Sequence, residues 1–113
     1  MDEAPAAKKI VQYRLTPRTA EKRIKELAAE TANLKWSRHA LERMNEREIF
    51  DADVLRICRK GMLSGNPEET PAGEWKCKMV LRLRGTREAG AVVIILKQRG
   101  GLLIKTVEWE DLS

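Results

Sequence analysis

Residues 74–84 read Glu-Trp-Lys-Cys-Lys-Met-Val-Leu-Arg-Leu-Arg, and this stretch decides the fold class. Apolar residues occupy every second position, namely Trp75, Cys77, Met79, Leu81 and Leu83. Because successive side chains of a β-strand point to opposite faces, this period of two predicts a strand with one buried face. Such a sheet needs a second layer to cover its apolar face, so the rest of the chain must supply that layer.

The residues that follow predict two more strands. A turn at 85–90 leads into 91–97, which is rich in β-branched residues and apolar on both faces, as expected of a central strand. Gly100 and Gly101 then permit a tight hairpin into a last strand at 102–109. The three strands together predict an antiparallel meander.

The residues that precede the strands predict helices. Thr16 and Pro17 open a first amphipathic helix, Ser37 caps a second that runs to about Arg47, and Asp51 caps a third. A loop rich in glycine and proline is expected at 64–73, with a short strand beginning at Met62 and Leu63 before it.

We therefore predict an α+β fold in which N-terminal helices pack on one face of a three- to four-stranded antiparallel sheet. The expected divisions are 1–15 as a flexible lead or short strand, 16–34 as an amphipathic helix, and 35–113 as a small α+β domain. The helix at 17–33 has a narrow apolar stripe, and its role is open: it docks on the domain or binds a partner.

Composition narrows the classes of function. The chain has 113 residues with a net charge of +5, which favours anionic partners such as RNA, another nucleic acid or an acidic protein. Its longest apolar run spans six residues, 91–96, and its first residues lack the pattern of a signal peptide. We expect a cytoplasmic protein with no membrane partner.

The two cysteines, Cys58 and Cys77, lie on the apolar sides of their segments and are expected to be buried thiols. With a single histidine and no Cys-x-x-Cys spacing, no metal site is expected. Gly-rich phosphate loops, paired carboxylates and nucleophile elbows are absent from the sequence, so no cofactor is expected either.

The second helix carries the most specific pattern. His39, Arg43 and Arg47 stand four residues apart and form a ridge on one side of the helix. A histidine supplies a general acid or base, and guanidinium groups hold phosphate, as cleavage of RNA by its own 2′-hydroxyl requires. The alternative from the residues alone is a capping histidine with arginines paired to neighbouring glutamates. We take all three as candidate catalytic residues.

The strand at 74–84 carries a row of cations on its polar face. The candidate nucleic-acid-binding residues are Lys76, Lys78, Arg82 and Arg84. Same-face positions repeat about every 7 Å, close to the spacing of phosphates along a nucleic-acid strand. The alternative is a solvated sheet face that is kept charged against aggregation.

Residues 37–49 read Ser-Arg-His-Ala-Leu-Glu-Arg-Met-Asn-Glu-Arg-Glu-Ile, and 106–109 read Thr-Val-Glu-Trp. Together they resemble a family of small bacterial domains of unknown function with the helix pattern Ser/Lys-x-His-Ala-x-x-Arg-Met-x-x-Arg-x-Ile and a closing Thr-x-x-Trp. Glu48 departs from that pattern, since the family usually has glycine there. The family is similar, more distantly, to RelE-like and barnase-like small ribonucleases, many of which are toxins held inactive by an antitoxin.

The resemblance implies a toxin-like, metal-independent endoribonuclease domain that acts on RNA, with His39 and Arg43 at motif positions. The alternative is a module without catalytic activity that binds nucleic acid or a protein. Such a protein partner would be acidic. It would bind this chain as an antitoxin binds its toxin, or as a target protein is bound by a phage-borne inhibitor.

Overall fold

The computed structural model describes residues 15–98 and 100–111. Three helices, one short 3₁₀ turn at 31–33 and five strands follow one another in that part of the chain. In chain order the helices and strands are α1 (Pro17–Ala28), β1 (Leu34–Trp36), α2 (Arg38–Arg47), α3 (Asp51–Lys60), β2 (Met62–Glu69), β3 (Trp75–Arg84), β4 (Arg87–Ile95) and β5 (Leu102–Trp109).

The strands form one sheet in the order β1-β5-β4-β3-β2. Neighbours among β2, β3, β4 and β5 pair antiparallel, but β1 runs parallel to β5. The α+β class and the helical layer are confirmed, whereas the prediction of three to four antiparallel strands is wrong. The sheet has five strands and is mixed.

β1 and the part of β2 beyond Met62 and Leu63 were not predicted, for physical reasons. β1 has three residues, too few to show a period, and it pairs with residues 102–104 far along the chain. β2 occupies much of the predicted loop, with a register shift between Ser64 and Glu68 around Gly65. It is an edge strand, where Gly65 and Pro67 are tolerated because one side of the backbone needs no partner.

The three helices cover one face of the sheet, which we call the helix face. Its inward residues include Cys77, Met79, Val93, Ile104 and Val107, all buried. Ala20, Ile24 and Ala28 of α1 are fully buried against this core, as are Val54 and Ile57 of α3. The other side of the sheet, which we call the open face, has no helix over it among the described residues.

α1 is docked on the domain by its ends as well as by its apolar stripe. The Arg59 guanidinium donates to the Ala28 carbonyl at 2.6 Å and to Thr31 Oγ1 at 3.0 Å. Near the start of the helix, Glu21 Oε1 accepts a hydrogen bond from the Leu63 N–H of β2 at 2.9 Å. Of the two roles left open for this helix, the structure therefore places it on the domain.

Other predicted boundaries shift slightly. Asp51 was predicted as a cap but is the first residue of α3, and Phe50 takes the N-cap position with its N–H bonded to Asp53 Oδ2 at 2.9 Å. β4 starts within the predicted turn, because its pairing with β3 extends to Arg87 and Arg84. The predicted lead at 1–15 lies outside the described residues except for Leu15.

Candidate functional site

The start of α2 is fixed at the end of β1, against β5. The Ser37 N–H donates to the Ile104 carbonyl at 3.1 Å and continues the β1–β5 pairing. Its hydroxyl accepts from the Ala40 N–H at 2.9 Å and donates to the Lys105 carbonyl at 3.0 Å. Ser37 therefore caps α2, as predicted, and brings the first turn of the helix beside β5. The first N–H groups of a helix have no partner within it.

His39 and Arg43 lie next to each other on the solvent side of α2. His39 is exposed, and Arg43 Nε donates to its Nε2 at 3.4 Å. The same guanidinium pairs with the carboxylate of Glu46. Nε2 is therefore the acceptor nitrogen of the ring in this arrangement, and the imidazole lies at the surface. The structure brings these two predicted residues together.

Arg47 has a different environment from the other two residues of the ridge. Its Nη1 donates to the Val107 carbonyl at 3.3 Å, and its own carbonyl accepts from Trp109 Nε1 at 2.9 Å. It is half-buried against β5. Arg47 therefore ties the end of α2 to the sheet, which is a structural role that the spacing alone did not reveal.

The cationic row on β3 faces the open face and meets acids there. Lys78 Nζ lies 2.8 Å from Glu110 and 3.2 Å from Glu108, and Lys76 Nζ lies 3.6 Å from Glu68. Partial burial lowers the pKa of Lys78, but the hydrogen bonds to the two glutamates outweigh this and hold the pKa above its usual value. Two cations of the row are thus neutralised by cross-strand partners.

Arg84 leaves the row because the register shifts between Arg82 and Arg84. Its guanidinium pairs with Asp53 of α3 at 2.9 Å and lies over the rings of Phe50 and Trp109, at 5.6 and 5.3 Å from their centroids. It therefore lies on the helix side of the sheet. The expectation that all four cations project from one face does not hold at this residue.

The ridge and the row lie on opposite sides of the sheet. α2 packs on the helix face through Ala40 and Met44, and it holds His39 and Arg43 there. Lys76, Lys78 and Arg82 project from the open face. The structure thus brings His39 and Arg43 of the helix together, but it brings neither Arg47 nor the strand residues to them.

Sequence reasoning missed an apolar surface at the junction of α2 and α3. Leu41 is 51% exposed and Phe50 60% exposed, and both line a hollow of about 350 Å³. The apolar residues of α2 are Ala40, Leu41 and Met44, and an interpretation that places all three on one buried side is wrong at Leu41. The position of Leu41 on the helix could have shown this. Leu41 lies about 100° round the helix from Ala40, so it is turned away from the side that Ala40 buries.

The cysteines are buried, as predicted. Burial raises the pKa of the Cys58 thiol to about 12 and that of Cys77 to about 11, so neither is a reactive thiolate near neutral pH. Within residues 15–98 and 100–111, no three His, Cys, Asp or Glu side chains converge on a position for a metal ion. No helix in that part of the chain combines the length and apolarity needed to cross a bilayer.

Comparison with known proteins identifies a family but no activity. No curated protein and no solved structure matches the chain. The family model described as a domain of unknown function, DUF4258, matches residues 36–109, from the end of β1 to the end of β5. This match covers well over half of the chain and includes His39 and Arg43, so the chain belongs to the DUF4258 family.

Proposed function

We propose that the chain is a toxin-like, RNA-directed endoribonuclease domain that works without a metal ion. The observation that carries the proposal is the contact between the exposed imidazole of His39 and the guanidinium of Arg43 at the start of α2. In RNA cleavage by the 2′-hydroxyl, this pair supplies the proton acceptor and the cation that the reaction needs.

The proposed step is an intramolecular phosphoryl transfer. The 2′-oxygen attacks phosphorus while its proton passes to His39 Nε2, which releases the Arg43 N–H as the substrate enters, and the bond from phosphorus to the 5′-oxygen breaks. The 5′-oxygen takes a proton from solvent and leaves, so the products are a 2′,3′-cyclic phosphate and a 5′-hydroxyl. Arg43 stabilises the negative charge that develops on the phosphoryl oxygens.

The surroundings of His39 favour a bound phosphate. The first-turn N–H groups of α2 that Ser37 does not cap, and the positive end of the helix dipole, suit an anion. Arg38 is exposed in the same turn. Lys105 of β5 is exposed as well, and its carbonyl accepts the hydrogen bond from the Ser37 hydroxyl. We therefore assign the holding of the RNA backbone to Arg38 and Lys105, and not to the row on the open face.

The RelE-like resemblance supports the same class of reaction, but it is an analogy of fold and motif. It covers His39 and Arg43 and leaves the cations of β3 without a counterpart. The alternative of nucleic-acid binding by the open face is weakened by the acids beside Lys76 and Lys78.

The test is cleavage of a short fluorescent RNA by the purified chain in excess EDTA. We expect fragments ending in a 2′,3′-cyclic phosphate, and no cleavage of the all-deoxy oligonucleotide of the same sequence, because it lacks the nucleophile. His39→Ala should slow cleavage about 100-fold or more, as expected for loss of a general acid–base group.

The matched control is Arg56→Ala, an exposed cation on α3. Arg56→Ala removes one positive charge, as Arg43→Ala does, but from another helix. The cleavage rate of Arg56→Ala should therefore equal that of the wild type. Cleavage that survives in His39→Ala at the wild-type rate, or that attacks the deoxy strand, would overturn the proposal.

A further inference from the structure

The hollow at the junction of α2 and α3, which we call the junction hollow, gathers most of the large apolar side chains left in solvent. Of the three exposed large hydrophobic residues among those described, Leu41 and Phe50 line it, and the third, Met62, lies on β2. Met44 and Ile49 are buried and line the hollow as well. Its volume of about 350 Å³ falls within the range of natural binding pockets.

The charged residues that line the junction hollow, among those that the structure describes, are all acidic. Glu48 and Asp51 line it and no described lysine or arginine does, although the protein has a net charge of +5. Arg84, which donates to the Glu48 carbonyl at 3.3 Å, is engaged by Asp53 and by the Phe50 ring. An apolar floor with a negative rim favours an occupant that is apolar and positively charged, and it disfavours the phosphates of RNA.

The junction hollow and the proposed cleavage site occupy different sides of α2. Residues two apart on a helix are separated by about 200°, so Leu41 points away from both His39 and Arg43. An occupant of the hollow therefore leaves the imidazole exposed. This separation makes the inference independent of the proposed ribonuclease activity.

We propose that the junction hollow docks a protein segment that presents a large apolar side chain flanked by lysine or arginine. The apolar side chain enters between Leu41 and Phe50, and its basic neighbours meet Glu48 and Asp51. Such a partner differs in charge from the acidic protein that the overall composition favours, so the two would bind different surfaces of the same chain.

The test uses three short synthetic peptides that differ in one feature at a time. The first is an amphipathic sequence of leucine and lysine, the second replaces lysine by glutamate, and the third replaces leucine by alanine. Binding is measured by fluorescence anisotropy at low salt. We expect the leucine–lysine peptide to bind at least about tenfold more tightly than either of the others.

Variants of exposed residues locate the binding without disturbing the core. Leu41→Lys and Phe50→Ala should each weaken binding of the leucine–lysine peptide about tenfold, and a Glu48→Gln/Asp51→Asn double variant should weaken it severalfold at low salt only. Met62→Ala is the matched control, since it removes an equally exposed apolar side chain elsewhere. It should leave binding unchanged.

Several results would overturn the proposal. These are no binding of the leucine–lysine peptide, equal binding of the glutamate peptide, or an equal loss in Met62→Ala. Self-association of the chain that Phe50→Ala abolishes would instead assign the junction hollow to a second copy. RNA cleavage by Leu41→Lys is measured in parallel, and an unchanged rate separates this result from the fate of the ribonuclease proposal.

Discussion

The start of α2 and the open face of β3 both present cations, but their neighbours differ. His39 and Arg43 face solvent with one acid beside them, Glu46, which lies on the same helix. Lys78 lies between Glu108 and Glu110, which come from beyond the neighbouring strand β4. Cations that repeat along one element are therefore a poor guide to surface potential where adjacent strands bring acids to meet them.

Removing one cation from each region gives the sharpest test of this difference. Arg43→Ala should slow RNA cleavage about 100-fold, because a donor to the developing charge is lost. Arg82→Ala should change the rate by less than about threefold, because it projects from the other side of the sheet. The measurement is the initial rate at saturating RNA, with thermal unfolding as a check of the fold. Equal losses in the two variants would place the chemistry on the open face.

Removing the acids of the open face should reveal the charge that they mask. In a Glu108→Gln/Glu110→Gln variant, Lys78 loses both ion pairs. The affinity of this variant for an uncleavable deoxy strand should rise about tenfold at low salt. The affinity should also fall more steeply with salt concentration, by about one released counterion. Glu26→Gln/Glu30→Gln is the control, since it changes the net charge equally but on α1 and the residue before the 3₁₀ turn. The same gain in the control would attribute the effect to net charge alone.

The same contrast between local and distant neighbours explains what the sequence could predict. Ser37 caps α2 three residues ahead of Ala40, and β5 spans 102–109 as expected, because these signals lie within a few residues. β1 was missed because its partner β5 lies far along the chain, and most of β2 because its glycine and proline are typical of loops. At the candidate site, the contact of His39 with Arg43 follows from helical spacing. The attachment of Arg47 to Val107 depends on a strand sixty residues away.

A third prediction concerns the end of α2, where the structure depends on residues that are close in sequence. Glu48 ends the helix in the left-handed region, at φ 56°, where glycine is favoured because it has no side chain. Glu48→Gly should raise the free energy of unfolding by about 1 kcal/mol, because the strain of a side chain in this conformation is removed. Urea denaturation measures it. Glu48→Ala removes the same charge but keeps the strain, so an equal gain there would refute the backbone explanation.

The last prediction concerns the edge strand β2, where the structure depends on a contact between residues that are distant in sequence. The pKa of Glu21 is lowered, first by the hydrogen bond from the Leu63 N–H and then by Lys25. A carboxylate with a lowered pKa stabilises the folded state fully above the unfolded value near 4.5, and this contribution is lost as the pH falls through the folded value. Glu21→Gln should therefore be less stable than the wild type at neutral pH, by roughly 1 kcal/mol.

That difference should shrink as the pH is lowered below 4.5, because protonation of Glu21 removes the advantage of the wild type. Unfolding by urea at a series of pH values measures it, with Glu26→Gln as the control because Glu26 is exposed on the same helix. A stability difference that does not change with pH would mean that the charge of Glu21 does not contribute to its hydrogen bond with the Leu63 N–H. A shrinking difference would show that one carboxylate on α1, distant in sequence from β2, protects the edge strand that the local pattern failed to reveal.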